Sequence, residues 1–219
     1  MDKDISIFEA GDLELESGQT LKSAQISYKT FGELNAARDN VMVVCHALTV
    51  SRAHINIAHV YMHFNVLCLT FVSSVQGNPD LKSWWSGLLG PGQIFDTDRY
   101  CVVCANMLGS CYGSTGPQSI NPDTGRSYGY RNFPRLSVRD SVAAHYRLVR
   151  DGLGADSIAA VVGGSLGGMQ ALEWCAMYGS YVKSLVAMSC GAFHTSWQIA
   201  ISEAQRQAIY ADPNWKHGE

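Results

Sequence analysis

Charge is scarce in this sequence, and what there is does not gather. Only 16% of the 219 residues are charged, with sixteen Lys and Arg against nineteen Asp and Glu and a net charge of -3. No run of Lys or Arg forms a stripe, so nucleic acid and anionic membrane surfaces are not expected partners. A clean long apolar run is also lacking. The longest candidate, within residues 50–76, is interrupted by His59, His63 and Asn65, so a membrane-spanning helix is not expected. The start, MDKDISIFEAGDLELESG, is acidic and polar. It reads as neither a secretory signal nor an Arg-rich transit peptide, and a cytoplasmic location is expected. No internal repeat or low-complexity tract is seen. Neither G-x-G-x-x-G after the first strand nor a Walker A sequence is present, which excludes a nucleotide-binding protein of those types.

The cysteines do not form a framework. Cys45, Cys68, Cys101, Cys104, Cys111, Cys175 and Cys190 are odd in number, and most sit in apolar runs, as expected of reduced, buried thiols. Cys101-Val-Val-Cys104 matches C-x-x-C, but it lies in a run that reads as a buried strand. Residues i and i+3 of a strand point to opposite faces, so these two thiols share neither a metal nor a redox bond. Metal binding by His54, His59 and His63 lacks the acidic partner of H-E-x-x-H, and no metal is expected.

What is present is 47% hydrophobic sequence, enough for one domain with a sizeable core. Apolar runs of strand length alternate with helix-period segments, which predicts an α/β architecture with a mostly parallel sheet and helices on both faces. Asp12–Leu15 and Ala24–Phe31 read as extended, the second as an antiparallel edge partner. Val41–Cys45, Tyr100–Ala105 and Ile158–Val162 are continuous apolar runs of the central parallel type. Ser137 with Asp140 three residues on predicts a helix start, and Val138, Val142, Tyr146 and Val149 continue one face to near Gly152. Gly167–Met177, apolar almost all round, predicts a buried helix. Val182–Ser189 reads as the next strand and Ser196–Tyr210 as a helix beyond it.

The chemistry-bearing motif is Gly163-Gly164-Ser165-Leu166-Gly167, an instance of G-x-S-x-G. It follows a buried strand directly and opens a buried helix, the context in which a serine stands clear of the sheet on a strained turn. The bland alternative is a Gly-rich turn that packs closely or binds phosphate. The context favours Ser165 as a nucleophile. Such a serine needs donors for the oxyanion it creates. The backbone N–H of Leu166, at the helix N-terminus, is the first candidate. The N–H of Leu48, in the loop Cys45-His46-Ala47-Leu48-Thr49 after an earlier strand, is the second. His46 reads as a residue that orients this loop by hydrogen bonds rather than as the catalytic base.

These residues, with Trp84-Trp85, Leu89-Gly-Pro-Gly92, Asp96-Thr-Asp-Arg-Tyr100, Gly109-Ser-Cys-Tyr-Gly-Ser-Thr-Gly-Pro117, Ser119-Ile-Asn-Pro122, Gly163-Gly-Ser-Leu-Gly-Gly-Met-Gln170 and Ala211-Asp-Pro-Asn-Trp215, resemble the homoserine O-acetyltransferase family. The likeness covers nearly all of the chain except residues 50–76. It implies an α/β-hydrolase fold and a ping-pong reaction. Ser165 would take acetyl from acetyl-CoA, a substrate and not a cofactor, and pass it to L-homoserine for methionine biosynthesis. CoA would bind transiently, without a dedicated phosphate loop. Family members commonly form homodimers through a helical lid that this chain lacks. The triad Asp and His lie, in the family, beyond the position of Glu219, as do the lid residues that contact the amino acid. No counterpart is present in this chain, and neither His194 nor Asp212 follows a core strand as the fold requires. The 219 residues are therefore expected to be a partial α/β-hydrolase domain, truncated in its C-terminal strands, with an unpaired parallel sheet edge and doubtful turnover. Serine O-acyltransferases of the same family, a carboxylesterase and a non-catalytic product are the rival readings.

Residues 50–76 depart from the family pattern. Removing them joins Thr49 to Gly77 as HALT-GNPDLKSWW and restores it. A Val codon can begin with GT and a Gln codon can end in AG, so the expectation is a retained intron translated in frame. Transcript sequencing should show Thr49 joined to Gly77. Reads that always carry the 27 intervening codons would overturn this.

Overall fold

The computed structural model describes residues 5–47 and 87–216. Among these, six strands form one sheet in the order β1-β2-β4-β3-β7-β8. They are β1 (Ser6–Glu14), β2 (Thr20–Phe31), β3 (Val41–Cys45), β4 (Cys101–Ala105), β7 (Ile158–Gly164) and β8 (Leu185–Met188). A separate small hairpin joins β5 (Ile120–Asn121) to β6 (Arg126–Ser127). The helices are α1 (Gly129–Asn132), α2 (Val138–Arg147), α3 (Leu166–Tyr178) and α4 (Ser196–Tyr210). Strands β4, β3, β7 and β8 run parallel, and β1 and β2 add an antiparallel hairpin on the β4 side.

The continuous apolar runs become the parallel strands because both of their faces are covered. In β4 the two faces separate cleanly. Cys101 and Val103 join the core under α2 and α3, whereas Val102 and Cys104 join a second cluster with Val44, Phe95, Ala160 and Val162. The two thiols of C-x-x-C thus lie on opposite faces of the sheet. Leu88, Leu89 and Tyr100, from the segment before β4, pack onto that second cluster.

Helix α2 begins where the sequence predicts. The Ser137 hydroxyl accepts from the Asp140 N–H at 3.1 Å, and the Asp140 carboxylate accepts from the Ser137 N–H at 2.7 Å. The same carboxylate also receives the Glu16 N–H at 2.9 Å, tying the helix start to the end of β1. The final turn, Leu148–Gly152, is a π-turn rather than continued α-helix.

Several boundaries differ from expectation. Strand β1 starts at Ser6, not Asp12, because backbone pairing with β2 carries it through residues 6–10, where Ala10 is buried and Phe8 packs on the core, with the ladder shifting at Gly11. The strand expected over Val182–Ser189 pairs continuously only over Leu185–Met188, and Val182 makes an isolated bridge to Ile158. In the described sheet β8 is an edge, and all four of its residues are exposed despite their apolar composition. No described helix is long and apolar enough to cross a membrane. Residues 50–76, with their three histidines, lie outside the described residues.

Buried in the core under α2 is His145, whose Nε2–H donates to the Asn106 carbonyl at 3.2 Å. Burial pushes its pKa down to about 4, helped by nearby His46 and opposed by the Asn106 bond. The unfolded chain therefore takes up this proton first, at the ordinary histidine value near 6.5. Stability is unaffected above that pH and falls as pH drops from about 6.5 to 4, by roughly 3 kcal/mol. Urea unfolding across that range should show His145→Gln losing this part of the acid sensitivity. Parallel profiles for the two proteins would contradict a buried neutral imidazole.

Candidate active site

The chain passes from β3 to β4 on one side and then crosses to β7 on the other side of β3. Strand order therefore reverses at β3, and crevices at the carboxyl ends of strands form at such reversals. Three loops leave that edge side by side: His46-Ala47 after β3, Asn106-Met107 after β4, and Ser165 after β7. Cys45 is paired directly with Gly163, so the first and third loops are immediate neighbours.

Ser165 sits between β7 and α3 with φ 56° and ψ −123°. Positive φ is costly for a residue with a Cβ, and here the surroundings impose it. A Cβ on Gly163 would fall 2.9 Å from the Gly168 nitrogen and still closer to the Gly167 carbonyl. A Cβ on Gly167 would fall 3.1 Å from the His46 carbonyl oxygen and 2.8 Å from the Cys45 carbonyl carbon. The Ser165 N–H donates to the Met188 carbonyl at 3.0 Å, linking the turn to β8. Ser165 is exposed, and its side chain makes no capping bond to the helix. Leu166 occupies the first position of α3, where an N–H has no intrahelical acceptor and the helix dipole favours negative charge. The Leu166 N–H, the first expected donor, is thus at the N-terminus of α3. Leu48, the second expected donor, lies outside the described residues.

His46 is buried, and both its ring nitrogens engage backbone. Nδ1 is 2.9 Å from the Ala47 carbonyl, and the Met107 N–H donates to Nε2 at 3.2 Å. A carbonyl can only accept and an N–H can only donate, so His46 is the neutral Nδ1–H tautomer. Its pKa is lowered, first by burial, with the Ala47 bond opposing. With both nitrogens committed, the ring clamps the β3 loop to the β4 loop and is unavailable as a base. His145 is buried as well, with its Nε2–H given to the Asn106 carbonyl. His194 lies on the exposed loop before α4, and the Asp212 carboxylate caps its own turn by accepting the Asn214 N–H at 2.8 Å.

Two contributors escape a sequence reading. The Gln170 Nε2–H donates to the His46 carbonyl at 2.9 Å from a fully buried position on α3. The segment after β4 folds back on β2: the Ser27 N–H donates to the Ser114 hydroxyl, which donates on to the Asn106 carbonyl, and the Thr115 N–H donates to the Gln25 carbonyl. Ser and Thr in a Gly-rich stretch signal a turn, but they do not disclose which strand the turn returns to. Among the described residues no three His, Cys, Asp or Glu side chains gather as a metal site.

The family model for the α/β hydrolase fold matches residues 73–219. Homoserine O-acetyltransferase of Trichormus variabilis is 44% identical over 205 residues, 94% of this chain and 49% of that protein. Its namesake in Saccharomyces cerevisiae is 46% identical over 213 residues, 97% of this chain and 38% of that protein. The chain thus spans about half or less of the length of these curated relatives. Among solved structures, homoserine O-acetyltransferase from Bacillus anthracis superposes with a TM-score of 0.78 at 29% identity, covering 98% of this chain and 54% of that one. Esterase E22 superposes with the same score and identity, covering 98% of this chain and 55% of that one.

Alanine normally stabilises a helix relative to glycine by up to about 1 kcal/mol. At Gly167 the sign should reverse, with Gly167→Ala losing about 1–3 kcal/mol because the Cβ meets fixed backbone. Gly87→Ala, in open space, should stay within about 0.5 kcal/mol of the parent. Urea midpoints for the two variants test this, and a neutral Gly167→Ala would refute the close approach.

Proposed function

This chain belongs to the α/β-hydrolase fold family, and from that footing we propose that it carries the acyl-accepting site of a homoserine O-acetyltransferase, with Ser165 as nucleophile. The observation that supports this most is the elbow itself. An exposed serine is held at positive φ between a buried parallel strand and a helix N-terminus, at the reversal of strand order. The identity of 44–46% to proteins named homoserine O-acetyltransferase favours acyl transfer over the esterase reading, whose structural likeness comes at 29% identity.

In this reading the Ser165 hydroxyl attacks the thioester carbonyl of acetyl-CoA. Its proton goes to a general base, the new Oγ–C bond forms, and the C–S bond breaks to release CoA thiol. The L-homoserine hydroxyl then attacks the acetyl-serine ester, giving O-acetyl-L-homoserine and regenerating Ser165. The negative oxygen of each tetrahedral intermediate is held by the Leu166 N–H, reinforced by the α3 dipole, and by a second N–H from the loop after β3. The base comes neither from His46, whose two ring nitrogens are committed to backbone, nor from His145, which is buried in the core. We place it, with its orienting acid, outside these 219 residues, in the longer protein that the relatives' length implies. The chain alone therefore acylates slowly, because the oxyanion donors remain while proton transfer is unassisted. A soluble cytoplasmic enzyme using small-molecule substrates, dimeric at full length, completes the proposal.

Prolonged incubation with acetyl-CoA should add one acetyl group, located on Ser165 by peptide mass spectrometry, and Ser165→Ala should abolish it. Adding L-homoserine should clear the label into O-acetyl-L-homoserine. Clearance to free acetate alone would instead support the esterase reading, clearance by L-serine the serine O-acyltransferase reading, and no label on Ser165 a non-catalytic product.

A further inference from the structure

Gln170 is the one fully buried polar side chain of α3, and its position repays scrutiny. Its Nε2–H donates to the His46 carbonyl at 2.9 Å, while its Oε1 has no donor among the described residues. The amide cannot be turned around, because Oε1 facing a carbonyl oxygen would set acceptor against acceptor. An amide buried with one end unmet costs about 1–3 kcal/mol, so an apolar side chain of equal volume would serve packing better. What this position gains from glutamine is its hold on His46.

That hold reaches the site by a short covalent route. The pairing of β3 with β7 ends at Cys45, so the polar groups of His46 and Ala47 have no ladder to fix them. Gln170 fixes the His46 carbonyl, and the His46 ring fixes the Ala47 carbonyl through Nδ1–H and the Met107 N–H through Nε2. Gly167, one turn before Gln170 on α3, lies against the same backbone, where a Cβ would sit 3.1 Å from the His46 oxygen. In the proposed reaction the second oxyanion donor is an N–H of this same loop.

We propose that Gln170 is a positioning residue for acyl transfer: through the His46 carbonyl it locks the start of the loop after β3 to the helix that follows Ser165. This rests on the acyl-transfer reading above. Helix α3 carries Leu166 at its first position and Gln170 one turn on, so one helix bears both the first proposed donor and the clamp on the loop after β3. Misplacing a preorganised donor by an ångström costs on the order of 100-fold in rate.

Gln170→Met keeps the volume and removes the hydrogen bond. Single-turnover acylation of Ser165 by an aryl acetate should slow about 10- to 100-fold in this variant. The rate preference for the aryl acetate over its thionoacetate analogue should fall as well, because the donors grip oxygen better than sulfur. A merely structural loss slows both donors equally, and that result, or a rate within twofold of the parent, would overturn the proposal. Amide hydrogen exchange gives an arm that needs no turnover. The Met107 N–H should exchange at least tenfold faster in Gln170→Met, with Val161 in β7 unchanged. Unchanged exchange at Met107 refutes the clamp by itself. If the parent is never acylated, the acyl-transfer reading fails, and exchange at Met107 alone then decides whether Gln170 holds the loop.

Discussion

Backbone lies directly on backbone where β7, α3 and the loop after β3 converge, and the remainder of the site follows from that contact. Gly163 faces the first turn of α3, and Gly167 faces the carbonyls of Cys45 and His46. With no side chain between them, the helix starts almost on top of the strand that precedes it. Ser165 must then turn the chain within one residue, and its positive φ is the result. The same contact fixes the order of the sheet. The β3 loop can lie against α3 only if β3 is the direct parallel neighbour of β7, with Cys45 level with Gly163.

Close approach of loops at a sheet edge raises the problem of polar groups that the ladder no longer satisfies. The molecule meets it with uncharged side chains that stand in for the missing strand. His46 offers one donor and one acceptor to two different loops, and Gln170 donates to a third group. Ser114 relays between β2 and the Asn106 carbonyl, which also receives His145. Accepting the Met107 N–H requires the His46 ring to be neutral. Two imidazoles this deeply buried stay uncharged at neutral pH because desolvation penalises the cation more than their bonds to carbonyls favour it. For His46 the same two bonds remove the ring from proton transfer, since it has no free nitrogen to offer a serine.

Much of this was legible in the residues. Val41–Cys45 and Ile158–Val162 read as covered parallel strands because their apolar runs are continuous, and Ser137 with Asp140 marks a helix start by local chemistry alone. The elbow is legible for the same reason: glycines flanking a serine between strand and helix describe a local steric need. What stayed hidden depends on partners distant in sequence. The early residues of β1 mix apolar and polar in a mostly exposed stretch, and the ladder to β2 makes them strand. Gln170 looks like one polar residue in an apolar helix until the structure brings His46, 124 positions away, to its amide. The end of α2 shifts to a π-turn where periodicity simply predicts more helix.

Strand β8 shows where composition and environment part. Leu185, Val186, Ala187 and Met188 read as well as β3 for a covered strand, yet among the described residues they are covered only in part. Helix α4, which follows, leaves Trp197, Ile199 and Ile209 exposed, and it is tied down mainly at its far end, where Tyr210 and Trp215 meet Tyr130. Local stability follows buried contact, so the elbow has unequal supports. On the β3 side it rests on glycine-to-backbone contact and the fully buried Gln170. On the β8 side Gly168 lies against the Met188 carbonyl, which also accepts from the Ser165 N–H, but the side chains of that strand are exposed. The contact of α3 with the start of the β3 loop is therefore the better buried of the two supports. Apolar cover over β8 would stiffen the flank of Ser165 that faces it.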